Sequence, residues 1–77
     1  MQSSHVLGIT SRLYPDNVQR YFETFGDIIE VGFLNQYVEH QKYSLSISFE
    51  HASGVRRVMQ NKPHTLNEYF LHVVPVM

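Results

Sequence analysis

The sequence predicts an α+β fold: a four-stranded antiparallel sheet with two helices on one face, in the order strand, helix, strand, strand, helix, strand. Three observations predict it. Lys42 to Glu50, "KYSLSISFE", sets Leu45, Ile47 and Phe49 against Ser44, Ser46 and Ser48, the period of two that marks a strand with one face in a core. Val18, Phe22 and Phe25 fall at i, i+4 and i+7, and Val55, Val58 and Met59 at i, i+3 and i+4, which are the stripes of two amphipathic helices. Short apolar runs at His5–Ile9, 27–35 and Tyr69–Val76 supply the remaining strands.

Each element has local signals. "HVLGI" is a short apolar strand, and "TSRLYPDN" after it carries turn formers and a proline suited to a helix's first position. The first helix starts at Pro15, has Asp16 in its first turn where the helix dipole favours an acid, and is followed by Gly26. In "DIIEVGFLN", Ile28, Val31 and Phe33 are the expected inward residues, and the irregular step between the first two suggests a bulge. "QYVEHQ" reads as a hairpin loop. The second helix starts near His51, where Gly54 lowers helix propensity by about 1 kcal/mol relative to alanine. "NKPHTLNE" reads as a loop, and Pro75 in the last strand suits an edge or a strand end. Two strand–helix–strand halves in this order give the ferredoxin-like βαββαβ sandwich, which leaves one sheet face uncovered.

Length and composition bound the function. Seventy-seven residues make a single domain, and one of this size buries only about 60 per cent of its unfolded surface; it is expected to be a module of a longer protein. No cysteine is present, so disulfides, thiolate metal sites and a cysteine nucleophile are excluded. No run approaches the roughly 20 apolar residues of a membrane span, and the chain is expected to be soluble and intracellular, in the nucleus or the cytoplasm. Six Lys and Arg against seven Asp and Glu give a net charge of −1 with histidine neutral. Any polyanion site must therefore rest on local charge. The five histidines lack metal-ligand spacing, and no serine is joined to a base by a motif, so neither a metal, a cofactor nor catalysis is expected.

Several stretches carry a resemblance. "SHVLGI" at the first strand, Leu13 before the first helix, "YFETFG" closing it, "GDIIEVGF" with its G-x-I-x-x-V-x-F spacing, and "KYSLSISF" in the third strand together resemble the RNA recognition motif (RRM) family. "VRRVMQNKPHTLNEYFLHVV" is similar to the second helix and last strand of its members. The resemblance implies a free sheet face on which aromatic rings stack on bases. Carried over by position, the ring places hold His5, Ser44 and Ser46, while the basic residue of the third strand is kept as Lys42. By alternation Leu7, Leu34, His72 and Val74 are expected to share that face.

The expected function is accordingly a short single-stranded RNA site on the sheet, weakened by the lost rings, with His5, Leu7, Lys42, Ser44, Ser46 and His72 as its residues. Losing two stacking platforms, each worth about 1–3 kcal/mol per base, turns tight binding into weak binding. The alternative is a protein-interaction or self-association module on the same scaffold, with the bare sheet or the helices as a docking surface. A membrane or a small-molecule substrate is not expected.

Overall fold

The computed structural model describes residues 5–37 and 42–76. The elements are β1 (Val6–Ser11), α1 (Pro15–Phe22) continued by a 3₁₀ turn (Glu23–Phe25), β2 (Ile28–Tyr37), β3 (Lys42–Phe49), α2 (Ala52–Gln60), β4 (His64–Leu66) and β5 (Tyr69–Val76). The strands lie side by side in the order β2-β3-β1-β5-β4, with every neighbouring pair antiparallel. The α+β architecture is as expected, but the sheet has five strands rather than four. Of the stretch read as a hairpin loop, Gln36 and Tyr37 extend β2, and the remainder lies outside the described residues.

The additional strand arises inside "NKPHTLNE". His64 to Leu66 pairs with Tyr69 to Leu71 across a two-residue loop, Asn67-Glu68, whose φ angles are 51° and 69°. Two positive φ values make the turn whose twist matches a tight hairpin. The usual sequence for it is Asn-Gly. With glutamate in the second place the signal is hidden, and the left-handed backbone there costs about 1–2 kcal/mol relative to glycine.

One side of the sheet carries the core. Leu7 and Ile9 of β1, Leu45, Ile47 and Phe49 of β3, and Leu71 and Val73 of β5 are buried beneath Val18 and Phe22 of α1 and Val55 and Val58 of α2. α1 starts as its sequence suggests: Pro15 occupies the first turn, and the Tyr14 carbonyl accepts from Asn17 N–H at 3.0 Å and Val18 N–H at 3.2 Å. At the opposite end of the core, α2 lies so close to β3 that a Cβ on Gly54 would sit 2.6 and 2.7 Å from atoms of the Phe49 ring. Gly26 lies beside Gly54: a Cβ there would approach the same ring to 3.2 Å and the Gly54 Cα to 3.3 Å. The glycine that weakens α2 locally is what lets the helix seat on the sheet.

His64 is the polar centre of the core, 2% exposed. Its Nε2–H donates to the Val58 carbonyl at 2.7 Å, and its Nδ1 lies 2.7 Å from the Tyr21 hydroxyl, which donates to it. Because Val58 offers only an acceptor, this pair of bonds fixes the Nε2–H tautomer. The imidazole also stands edge-on to Tyr21, Phe22 and Phe25, with centroids 5.3–5.6 Å away. Burial pushes the Tyr21 pKa above its ordinary value, so the hydroxyl stays protonated as a donor. One side chain of β4 thereby ties together α1, α2 and the sheet.

Two outcomes follow for stability. Gly54→Ala should lower the unfolding free energy by about 1–3 kcal/mol through overpacking against Phe49, despite alanine's advantage of about 1 kcal/mol in a helix; urea denaturation measures it. His64→Ala should cost about 2–5 kcal/mol, against about 1–3 kcal/mol for Tyr21→Phe, which leaves the buried Nδ1 of His64 without its donor. Equal effects of the last two changes in thermal unfolding would show that the imidazole contributes no more than its bond to Tyr21.

Candidate functional site

Strand registers determine which residues face away from the helices. Gly32 of β2, Ser46 of β3, Gly8 of β1 and Val74 of β5 form one row across the sheet. Glu30, Ser48, Val6 and Val76 form the row on one side of it, and Ser44, Thr10 and His72 the row on the other. Through β2, β3 and β1 the middle row has no side chain larger than serine, so backbone is close to the surface there. Ser46 fills the space beside Gly32, its Oγ 2.6 Å from where a Cβ on that glycine would stand. Thr10 Oγ1 and Ser44 Oγ hydrogen-bond at 3.2 Å across β1 and β3, which uses part of the hydroxyl capacity of that row.

The expected binding residues divide accordingly. Ser44 and Ser46 are on the free face and half-buried, and Val74 and His72 are exposed on it. Leu7 is a correction: it is fully buried in the core, opposite Ile47, because β1 runs one step out of phase with the expected alternation. The same shift removes His5. It has the parity of Leu7 and Ile9, and its carbonyl accepts from Phe49 N–H at 2.8 Å, next to a core residue. The free-face residues of β1 are Val6, Gly8 and Thr10, none of them aromatic. Leu34 is exposed but falls in the β2 bulge between Phe33 and Asn35. Phe33 has the parity of the helix side, as expected, yet is 56% exposed; it lies edge-on to Tyr43, which stacks on Tyr14.

At one end of the free face the side chains converge. A cleft of about 410 Å³ is lined by Thr10, Arg12, Lys42, Glu68, Phe70 and His72, with Ser11 and Tyr69 completing its wall. β5 presents Phe70 and His72 two residues apart, hence on the same side, with ring centroids 6.3 Å apart and planes at 45°. Arg12 is aimed outward because its neighbours are held in: Ser11 and Leu13 are buried, and Leu13 N–H donates to Ser11 Oγ at 3.1 Å. Lys42 opens β3 on the strand neighbouring β1. The rings of Phe70 and His72, the cations Arg12 and Lys42, the Thr10 hydroxyl and the Glu68 carboxylate thus share one concavity, whereas the middle of the sheet is bare. Of the expected residues, Lys42 and His72 meet here. Arg12, Glu68 and Phe70 were missed, although the alternation Phe70-x-His72 would have paired the rings once the register of the last strand was known.

The fold can be compared with solved structures. The whole chain aligns with 89% of a chain in the PID-3 TOFU-6 RRM domain complex, at a TM-score of 0.83 and 13% identity. The fold is that of an RNA recognition motif. The RRM3 domain of Mip6 is similar over 97% of this chain and 95% of its own, with a TM-score of 0.78 and 14% identity. The Rna15 RRM, solved with bound RNA (GU), is similar over 97% and 84%, with 0.71 and 12%. No family model matches the sequence, and no curated protein matches it. The likeness to the RRM fold is thus one of backbone, and the side chains of the free face are this chain's own.

The parity of β1 is open to direct test. Leu7→Ala should destabilise by about 2–5 kcal/mol, while Gly8→Ser, whose Cβ would meet Val74 and Val76 at ordinary contact distances of 3.4 and 3.5 Å, should stay within about 0.5 kcal/mol. Chemical denaturation of both variants separates a core position from a face position.

Proposed function

We propose that this domain binds a short stretch of single-stranded RNA, weakly, at the cleft formed by Thr10, Arg12, Lys42, Phe70 and His72 rather than across the middle of its sheet. The observation that carries the reading is the convergence of Phe70 and His72 with two cations in one concavity on the free face. Flat rings accept bases whatever their sequence, and cations beside them accept the phosphates that join those bases. The 77-residue domain carries a net charge of −1, so attraction is local and the site is small. A binding module of this kind fits an RNA-processing or regulatory protein in which other domains add affinity.

A second reading is supported by a different observation. β2 is a sheet edge and exposes Ile29, Phe33 and Leu34, an apolar set suited to a protein partner or a second copy of the chain. The bulges at Ile28/Glu30 and Phe33/Asn35 interrupt the ladder that such a partner would extend, which makes it the weaker reading.

Titrating the domain with pentanucleotide RNA pools while following backbone amides tests the first reading. Shifts should gather at Thr10, Arg12, Lys42, Phe70 and His72. Phe70→Ala should weaken binding by about 1–3 kcal/mol, the value of one stacked base. Log K should fall with log salt at a slope of about −1.4 if both cations each neutralise one phosphate. Shifts confined to β2, or none at all, would transfer the function to the edge-strand reading.

A further inference from the structure

The cleft contains one group that does not belong in a simple polyanion site. Glu68 is the single carboxylate among the described residues that line it, beside Arg12, Lys42, Phe70 and His72. A carboxylate repels phosphate and so opposes the electrostatic part of binding. It is also held where its backbone is unfavourable: Glu68 has φ of 69° in the tight β4–β5 turn, where glycine would be relaxed. A residue that strains the turn and opposes the phosphates is explained if the nucleobase is what it meets.

We infer that Glu68 makes the cleft selective for guanine. The inference rests on the RNA-binding reading of the same cleft. A carboxylate only accepts hydrogen bonds, and it accepts two side by side most readily from paired donors. Guanine offers N1–H and the N2 amino group next to each other on its Watson–Crick edge. Adenine and cytosine offer one amino group beside a ring nitrogen that is itself an acceptor. Uracil offers a single N3–H between two carbonyl oxygens, which the carboxylate repels. With the base stacked on Phe70 or His72 and its phosphates toward Arg12 and Lys42, Glu68 at the turn is available to the edge of the ring.

The test uses four pentanucleotides of sequence UUXUU, with X as G, A, C or U, and measures affinity by fluorescence anisotropy for the unaltered domain, Glu68→Gln, Glu68→Gly and Phe70→Ala. The unaltered domain should prefer G over U by about tenfold or more, within the range of a bidentate base contact. In both Glu68 variants the preference should fall below about threefold. Glu68→Gly should also melt at a higher temperature, because it relaxes the turn, which shows that the loss is not one of folding. Equal gains in affinity for all four RNAs in Glu68→Gln, or a guanine preference that survives in Glu68→Gly, would overturn the inference while leaving the cleft as the binding site. No binding to any of the four, or unchanged binding in Phe70→Ala, would overturn the reading of the cleft itself and the guanine selectivity with it.

Discussion

The antiparallel pairing of β1 with β3 is the constraint on which the other features depend. Leu7 faces Ile47 on one side of the sheet, and Gly8 faces Ser46 on the other. Side chains in a strand alternate with a period of two, so a slip of one residue in β1 would exchange its faces completely. Burying Leu7 and Ile9 under the helices forbids that slip. Once the core parity is set, the free face receives glycine and serine at its centre whatever their use, and β5 contributes the rings of Phe70 and His72.

The helices are held to this sheet by two contacts of different kinds. Phe49 occupies space that Gly26 and Gly54 leave open, so the fit is steric and intolerant of one added carbon. His64 instead satisfies a helix-end carbonyl and a tyrosine hydroxyl from within the core, where an unpaired polar group would cost about 1–3 kcal/mol. The second contact depends on β4, since that short strand carries His64. The β4–β5 hairpin therefore serves the core through His64 and the cleft through Glu68, Phe70 and His72.

A bare sheet centre and a furnished sheet end are complementary features of one surface. Stacking needs rings with accessible faces, and among the described side chains Phe70 and His72 of β5 supply them at that end of the free face. Arg12 and Lys42 adjoin them because β1 ends and β3 begins at that end of the sheet. The arrangement places charge and aromatic area together in a domain whose overall charge favours neither cations nor anions strongly.

The sequence by itself determined the α+β class, the order of the main elements and most of the core, because periods of 2 and 3.6 are local properties of the chain. "KYSLSISF" reported its own parity without help, and Val18, Phe22, Val55 and Val58 reported theirs. Three things were decided only by the tertiary structure. The parity of β1 was ambiguous because "HVLGI" is apolar on both sides of its glycine, and only the pairing of Leu7 with Ile47 resolves it. β4 was hidden because three residues and a turn without glycine carry too little local signal, while His64 stabilises the strand through partners 6 and 43 residues distant in sequence. The cleft was invisible because Thr10, Arg12, Lys42, Glu68 and Phe70 come from separate stretches of the chain, and only the strand order β3-β1-β5 brings them together.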